Sequence, residues 1–584
     1  MALETSAVKL ISRTANQPSF HTVRFRRQGL SLIVGQKHTP AERGGRGTYN
    51  GVGKSLVLYF THFCLGAATN DRLAELLPDW EFSLAFEMEG KEVVATRSTK
   101  EQKVIKLNGV PLEVANFNKD LGEKIFGLKP GVQFLSFRTL AKRFMRSGKH
   151  AYLSFDEFDH EEKEFQQLIT NGYLLGLPTD LIQRKHDLRS SETEMKDLEK
   201  RLKTDEVFRG FFTTQSDARI ERKDLEDQIA RLSAKLNDFK VAEDYADIKT
   251  DVAAIKRKLR EASNEIVGMV DRIKSIDAAL VLGADISRES LLEVFNSAKV
   301  VLRDEVRGSL QDLEQFHQRL LQDRNKRFSE EKHSLQQKVA RLKSEEQKLD
   351  SALSQQLHYL DSHGELEEYL AMSKKLSGLT SQLDRVKSYQ EILQRYKDEV
   401  RKIRVEQEEQ NAASEKFLKE NEAGLQKNMA LFRELSARFY EARAGGVTVD
   451  NNDGNNMLRF KISCHLDDDS SSGINEVKIF CYDAMVLRAK WNHNVQFLFH
   501  DSLLYSNMDP RQRSILFREA KATAERDGEQ YIATINQDAL DSMREELSAE
   551  EFNQIFGDAV VLQLTDKSDA DKLLGVHINF DYDS

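Results

Sequence analysis

Apolar residues in the middle of the chain recur at spacings of three and four positions. The stripe is clear from Leu225 to Leu236, continues from Val252 to Ile273 and returns from Leu335 to Leu349 and from Leu376 to Val386. This spacing puts apolar side chains on one helix face, where they meet a partner helix, while the charged residues between them face water. We predict a coiled coil over residues 184–444, and the alternative is a long solvated helix inside a bundle.

The distribution of proline supports very long helices in the same region. No proline lies between Pro178 and Pro510, and glycine is sparse from about Arg184 to Ala444. Proline removes a backbone donor and clashes with the preceding turn, so its absence from a stretch rich in Glu, Lys, Leu, Gln and Arg favours helix.

The coiled coil is predicted to fold back on itself. The segment Val281–Glu289 contains turn residues and then Ser287, a residue type that starts helices. An apex near 275–300 would pair an outgoing arm with an antiparallel returning arm. At about 1.5 Å per residue, an arm of about 90 residues would reach about 135 Å.

Both ends of the chain differ from the middle, because short apolar runs there predict strands. Such runs occur at 20–35, 80–109, 457–465, 495–500, 531–535, 559–564 and 574–580. The sequence thus predicts two α/β half-domains, 1–183 and 445–584, separated by the insertion 184–444. A hairpin would bring the two halves together.

A candidate phosphate-binding loop lies in the first half. The strand-like GLSLIVG is followed by Asn50-Gly51-Val52-Gly53-Lys54-Ser55 and then by the helix-like LVLYFTHFCL. Glycines let backbone N–H groups surround a phosphate at a helix N-terminus. We predict that Lys54 reaches the β/γ-phosphate oxygens and that Ser55 binds Mg²⁺. Thr48 occupies the usual first glycine position, so Gly35 is predicted to serve instead.

A second nucleotide-binding element is predicted in the other half. The apolar run from Val495 ends in His500 and Asp501, and a buried strand ending in Asp can supply a Mg²⁺ ligand. Either Asp501 binds Mg²⁺ and Ser502 leaves the catalytic base missing, or His500 replaces the ligand and Asp501 is the base. Mg²⁺ prefers oxygen, so we favour Asp501 on the metal, with His500 or Asp509 assisting the attacking water.

These motifs, in this order, resemble the SMC, RecF and RecN class of ABC ATPases. The resemblance implies an ABC-type P-loop head built from both chain ends, with two heads of a homodimer enclosing ATP and Mg²⁺. In that class each head supplies a Ser-Gly signature to its partner, and here Ser472 and Gly473 match it, although Ile474 departs from the pattern. The alternative is a Ser-rich loop that caps a helix.

The same resemblance bears on catalysis. Asn536 stands where the class often has a switch His, and it could bind a γ-phosphate or the attacking water. Ser502 stands where a catalytic Glu is usual, so slow ATP hydrolysis is expected.

A closer resemblance is to SMC-like ATPases of bacterial three-component, Lamassu-like anti-phage systems. It is carried by FLSFRTL with RFMR from Phe134, by QFHQRLLQDR from Gln315, and by FLFHDS and YIATIN. This resemblance implies a role in defence and a complex with a small partner subunit and an effector protein. The alternatives are a RecN-like DNA repair ATPase and a weakly hydrolysing scaffold that restrains an effector.

Basic residues form one candidate contact for DNA, without sequence specificity. Arg138, Lys142, Arg143 and Arg146 follow one another on a predicted helix, where residues four apart share a face. The alternative is a solvated charged helix.

The composition excludes several classes of protein. With 86 basic and 95 acidic residues the net charge is −9, which excludes a globally basic nucleic-acid coat. Three cysteines in 584 residues exclude a disulfide scaffold and favour a reducing compartment. Since no apolar run reaches about 18 residues, we expect a cytoplasmic protein without membrane contact.

Overall fold

The computed structural model describes residues 5–38, 51–129, 131–159, 162–204, 218–237, 245–281, 305–358, 366–441, 445–466, 472–578 and 580. The chain divides into two units. One contains Met1–Arg189, Glu293–Leu310 and Gln407–Ser584, and the other contains Ser190–Leu292 and Gln311–Glu406. We call the first the head unit and the second the arm unit.

The head unit is built around a parallel five-stranded sheet that combines both chain ends. Its strands are β3 (Gly29–Gln36), β8 (Met145–Arg146), β11 (Phe497–His500), β12 (Gln530–Asn536) and β13 (Val560–Thr565). Their order across the sheet is β13-β3-β12-β11-β8. The first seven residues of β3 are buried, as expected for a strand in a parallel sheet that is covered on both faces.

A second sheet of the head unit is antiparallel. Its strands are β1 (Val8–Ala15), β2 (Val23–Arg24), β4 (Glu81–Met88), β5 (Lys91–Ser98), β6 (Val104–Leu107) and β7 (Val110–Glu113), in the order β2-β1-β4-β5-β6-β7. Because β2 and β3 belong to different sheets, the run 20–35 is not the hairpin that its pattern suggested. A third, two-stranded sheet pairs β9 (Gly445–Asn451) with β10 (Phe460–Leu466).

The helix that follows the candidate phosphate loop packs between the two larger sheets. This helix, α1 (Lys54–Cys64), contacts β3 and β12 on one side and β4 and β5 on the other. The ring of Phe60 stacks on Phe82 of β4 with centroids 3.8 Å apart, and Phe63 meets the same ring edge-on. These contacts fix the position of α1 between the two sheets.

The other helices of the head unit surround these sheets. They are α2 (Asp71–Leu76), α3 (Val114–Phe126), α4 (Phe137–Ala141), α5 (Glu164–Leu174), α11 (Glu422–Phe439), α12 (Ser472–Ala489), α13 (Pro510–Asp527), α14 (Gln537–Ser542) and α15 (Ala549–Phe556). Side chains of α11, among them Phe432, Leu435 and Phe439, belong to the head core. The structure thus groups residues 407–441 with the head unit, whereas the sequence pattern assigned them to the insertion.

The arm unit consists of long helices in antiparallel contact. The long helices are α6 (Thr179–Thr204), α7 (Ala218–Asn237), α8 (Tyr245–Val281), α9 (Glu305–His358) and α10 (Leu366–Glu420). The first residues of α6 and α9 and the last residues of α10 belong to the head unit. Glu192 pairs with Arg404, Glu226 with Lys387, and Arg272 with Glu331. From one pair to the next, the residue number in the first arm rises while the residue number of its partner in the second arm falls. The two arms are therefore antiparallel.

Apolar contact supports the same register. Leu225 of α7 packs with Leu383 and Val386 of α10, all three from the three-and-four stripes. The predicted turn at 282–289 lies outside the described residues. No helix within the described ranges is both long and apolar enough to span a bilayer.

Candidate nucleotide-binding site

The carboxyl ends of three adjacent parallel strands bring the predicted site residues together. Gly35 at the end of β3 is directly opposite Asn536 at the end of β12, and Asp501 directly follows β11. The hydroxyl of Thr534 on β12 donates to Oδ1 of Asp501 over 3.0 Å. Ligands of open α/β sheets bind at this edge.

A pocket of about 360 Å³ opens at this edge. That volume lies within the range of about 300–1,000 Å³ usual for small-molecule sites. It is lined by Gly51–Leu56, Lys149, Asp501–Leu503, Lys572–Leu574, Val576, Ile578 and Phe580. Lys54, Ser55 and Asp501 thus share one cavity, although they come from opposite ends of the sequence.

The loop before α1 has the backbone geometry that its glycines allow. Gly51 has a φ of 79° and Gly53, the N-cap of α1, has a φ of 97°, values in the left-handed region that favour glycine. The loop therefore turns sharply into the first residue of α1, Lys54. Asn50 lies outside the described residues, and its predicted contact with phosphate stays a prediction.

Gly35 has a steric role that the motif spacing did not suggest. A Cβ atom on Gly35 would lie 2.6 Å from Cδ and 2.8 Å from Nζ of Lys54. The Lys54 side chain therefore packs across the end of β3, and a larger residue at position 35 would have to displace it. Whether Gly35 also contacts phosphate stays a prediction.

Two carboxylates influence the buried Lys54 ammonium. Burial lowers the pKa of Lys54, while the charges of Asp501 and Asp538 act in the opposite direction. Both acidic groups are therefore electrostatically close to the ammonium. A bound polyphosphate would also favour its charged form.

Asp501 is held in place from several directions. Its backbone N–H donates to the Tyr152 hydroxyl over 2.9 Å, and its Oδ1 accepts from the hydroxyls of Ser502 and Thr534. Within the described part of the chain both of these side-chain bonds fall on Oδ1, which leaves Oδ2 for a cation. The Ser502 hydroxyl thus donates to the Asp501 carboxylate. It does not supply the carboxylate that a catalytic Glu would provide at this position.

His500 lies in the interior, so its predicted role with the attacking water is wrong for this geometry. Its side chain is fully buried, with Nε2 3.1 Å from Oδ2 of Asp483 and Nδ1 3.0 Å from the Tyr531 hydroxyl. Burial lowers the pKa of His500, while Asp483 opposes the shift. Both ring nitrogens face internal partners.

Asn536 and Asp538 extend the polar edge on the β12 side. The amide oxygen of Asn536 is buried and has no hydrogen-bond partner among the described residues, so it is able to accept a bond from a ligand or a water. Asp538 lies in the first turn of α14 and was missed in the sequence. The only sequence signal for Asp538 was its place two residues after Asn536.

The start of α12, where Ser472 and Gly473 lie, packs against its own chain. A Cβ on Gly473 would lie 2.9 Å from the backbone oxygen of Asn507. One turn further, the Glu476 carboxylate accepts from the backbone N–H and the side-chain amide of Asn507. Burial raises the pKa of Glu476 to about 7. The contribution of Ser472 and Gly473 to a partner head stays a prediction.

The predicted basic face for DNA is corrected by the structure. Arg138, Arg143 and Arg146 are buried, and internal partners occupy them. Arg138 donates to the backbone oxygen of Leu65, Arg143 pairs with Glu162, and Lys142 pairs with Asp159. The predicted continuous helix is also wrong, because α4 ends at Ala141 and Arg146 belongs to β8, so the four residues do not share one helix face.

Arg146 shows most clearly why these side chains are structural. Its guanidinium forms two bonds to Asp483 of α12, Nε–Oδ2 at 2.5 Å and Nη2–Oδ1 at 2.7 Å. Asp483 also meets His500, and His500 meets Tyr531, whose hydroxyl lies 2.7 Å from that of Tyr505. This buried network joins β8, α12, β11 and β12.

The geometry defines a mixed α/β protein with long helices and a polar pocket at the edge of a parallel sheet. A family model described as "Uncharacterised protein conserved in bacteria (DUF2326)" matches residues 435–578, the range that contains α12, β11, β12 and β13. Among curated proteins no match was found.

Two solved structures are similar to the chain along most of its length. One is an Smc head domain with a coiled coil and joint from Pyrococcus yayanosii, with 14% identity, a TM-score of 0.33, and coverage of 93% of this chain and 94% of that chain. The other is an Smc head domain with an extended coiled coil from Pyrococcus furiosus, bound to the C-terminal domain of ScpA. It has 9% identity, a TM-score of 0.31, and coverage of 92% and 91%. Both TM-scores are low, so this similarity by itself assigns no activity to the chain.

Proposed function

We propose that the chain is an SMC-like ATPase that binds ATP with Mg²⁺ and hydrolyses it slowly. The observation that carries the proposal is the shared pocket of Lys54, Ser55 and Asp501 at the carboxyl ends of parallel strands. The positive-φ glycines before α1 add a backbone suited to phosphate.

The donor set in the pocket fits Mg²⁺ together with a triphosphate. Ser55 offers a hydroxyl and Asp501 a carboxylate, which are the oxygen ligands that Mg²⁺ prefers. The described residues contain no group of three His, Cys, Asp or Glu side chains that could hold a metal. Phosphate oxygens would complete the coordination, and the bound cation would offset charge on the phosphates.

The chain's own residues then divide the work. Lys54 binds the terminal phosphates, the start of α1 directs backbone N–H groups at them, and Asp501 with Ser55 holds the cation. The Asn536 amide oxygen accepts a hydrogen bond from the attacking water. Ser502 cannot take that water's proton as a carboxylate would, which accounts for slow turnover.

Nucleotide binding by the full chain tests this proposal. Lys54→Ala should weaken binding of Mg-ATP by at least about 100-fold, because a charge-assisted contact with the phosphates is lost. Lys149→Ala, which removes another cation of the pocket lining, is the matched comparison and should have a smaller effect. Equal affinity of wild type and Lys54→Ala in isothermal titration calorimetry would refute the proposal.

The assembly that we propose is a homodimer in which ATP lies between two heads, with Ser472 and Gly473 facing the partner's nucleotide. The resemblance to anti-phage ATPases supports a small partner subunit, an effector protein and non-specific DNA as further ligands. Because the predicted arginines are buried, DNA must contact other surfaces. Ser472→Arg should block ATP-dependent dimerisation in analytical ultracentrifugation while one head still binds ATP, and an unchanged dimer would contradict the assembly.

A second candidate is a scaffold that binds ATP and restrains an effector without appreciable hydrolysis. The observation that favours it is Ser502, whose hydroxyl bonds to Asp501 where a carboxylate base would be needed. Phosphate release measured with and without DNA ends separates the two candidates. Stimulation by DNA supports the DNA-engaging ATPase, and turnover near background in both conditions supports the scaffold.

A further inference from the structure

Residues of Lys572–Ile578, together with Phe580, form one side of the pocket, although the sequence pattern suggested a strand there. This segment has no strand partner among the described residues. Its apolar side chains line the cavity instead, and these are Leu573, Leu574, Val576, Ile578 and Phe580. We call these five residues the C-terminal wall.

The beginning of the wall is fixed to the phosphate loop. The backbone N–H of Leu573 donates to the backbone oxygen of Val52 over 3.0 Å. A Cβ on Gly53 would lie 2.7 Å from Cβ of Leu573, so the two segments are in close contact. The wall therefore starts beside the residues proposed to hold phosphate.

The N-terminal half holds the same segment from its other side. The backbone N–H of His21 donates to the oxygen of Leu573 over 2.9 Å, and the Ser19 hydroxyl donates to the oxygen of Leu574 over 2.8 Å. These bonds hold the backbone of Leu573 and Leu574 in place, and Val576, Ile578 and Phe580 line the same cavity.

The far end of the wall lies along α1, away from the phosphate loop. Phe580 meets the ring of Tyr59 edge-on, with centroids 5.0 Å apart. Tyr59 is five residues beyond Lys54, or about 7.5 Å along the helix. The cavity thus changes from charged groups near Lys54 to apolar ones near Phe580.

Part of the C-terminal wall is exposed to solvent and is not packed into the apolar core. Val576 is 39% exposed, so part of its apolar surface is available to a ligand in the cavity. A nucleotide has the same polarity as the cavity, with a charged triphosphate at one end and a flat, largely apolar base at the other.

We propose that the C-terminal wall is the surface that contacts the nucleobase of the bound triphosphate. The contact is by dispersion and removal of apolar area from water. The five side chains carry no hydrogen-bonding groups, so the wall does not distinguish adenine from guanine. This inference rests on the proposed nucleotide binding and adds to it the part of the chain that holds the base.

Shortening two apolar side chains of the C-terminal wall to alanine, in the full chain and without a change of charge, tests the inference. The double variant Val576→Ala/Phe580→Ala should bind Mg-ATP and Mg-GTP each about 10-fold more weakly and should bind inorganic triphosphate with Mg²⁺ as the wild type does. The matched control is Val110→Ala/Ile220→Ala, which shortens two exposed apolar side chains outside the pocket and should leave all three affinities unchanged.

The same measurements give the results that would overturn it. Unchanged ATP binding by the double variant would mean that the wall does not contact the nucleotide. Tighter binding would mean that the wall obstructs the pocket. Equal weakening of ATP and triphosphate would mean that the wall acts only by supporting the phosphate loop. If wild type binds neither ATP nor triphosphate, the proposed function fails, whereas failure of the inference alone leaves wild-type binding intact.

Discussion

At the scale of single residues, Asp538 is a carboxylate near Lys54 that none of the sequence motifs predicted. It acts on the pKa of Lys54 in the same direction as Asp501. It lies in the first turn of α14, two residues after Asn536, whose amide oxygen is buried. Because Ser502 lacks a carboxylate, we infer that Asp538 orients the attacking water in the proposed hydrolysis.

Asp538→Asn should therefore lower kcat for ATP hydrolysis by about 100-fold, the lower end of what a positioned base contributes, with little change in ATP affinity. Asp541→Asn, which removes a charge from the same short helix, is the control and should leave kcat unchanged. A variant with weaker ATP binding and normal kcat would show that Asp538 only tunes the charge of Lys54.

Residue identity and residue environment were predictable to different degrees. The Lys54 and Asp501 motifs are local patterns of glycine, charge and apolar strand, so the sequence alone singled them out. The burial of Arg146 depends on Asp483, a residue 337 positions away, and no local spacing contains that information. His500 illustrates the same limit, because the direction of its side chain is set by Asp483 and Tyr531.

Loss of the ion pair between Arg146 and Asp483 should lower the free energy of unfolding substantially. Asp483→Asn leaves the Arg146 guanidinium buried without its counter-charge, and we expect the free energy of unfolding to fall by about 3–5 kcal/mol. Urea denaturation followed by circular dichroism measures it. The exposed pair of Asp79 and Lys100 supplies the control, since Asp79→Asn should cost less than about 1 kcal/mol. Similar costs for both variants would contradict the structural role of the network.

At the scale of elements, the contact between α12 and the loop after β11 depends on the protonation of Glu476. Burial raises its pKa to about 7, above the value of about 4.3 for an unfolded chain. The folded state thus binds the proton more tightly. Glu476 contributes stability that is fully present below about pH 4.3 and is lost as the pH rises through about 7.

Glu476→Gln should remove this part of the pH dependence of stability. The Tm of wild type should fall more steeply than that of the variant between pH 5 and 8, as measured by differential scanning fluorimetry. The pH slope is the readout, because the amide also changes a hydrogen bond to Asn507. The exposed Glu75→Gln should reproduce the wild-type slope, and parallel slopes for wild type and Glu476→Gln would exclude this role.

Elements with a strong internal period were predictable, and elements defined by distant partners were not. The three-and-four stripes of α7 and α10 were visible because each helix repeats its own pattern. The segment 574–580 looked like a strand since Val576, Ile578 and Phe580 alternate with other residues. That alternation instead places apolar side chains along a cavity, and only the contacts with Val52 and Ser19 decide between the two.

At the scale of the whole molecule, the antiparallel register of the arm unit makes a direct prediction. Glu226 and Lys387 form an ion pair of 4.0 Å, so Glu226→Cys with Lys387→Cys should be joined within one chain by a short bismaleimide. Glu226→Cys with Arg404→Cys is the control, because Arg404 is about 25 Å further along α10.

Mass spectrometry after proteolysis reads the result. The native thiols Cys64, Cys464 and Cys481 are buried, which keeps the background low. Links between two chains, or equal yields from both cysteine pairs, would argue against a hairpin within one chain.

The order of strands in the head sheet has a consequence for biosynthesis. Strand β3 is synthesised some 500 residues before its two neighbours in the sheet, β12 and β13. At about 5–20 residues per second, translation of that interval takes on the order of 25–100 s. During that time an apolar strand has neither hydrogen-bonding neighbour, which makes the nascent N-terminal segment a client for chaperones and prone to aggregation when they are scarce.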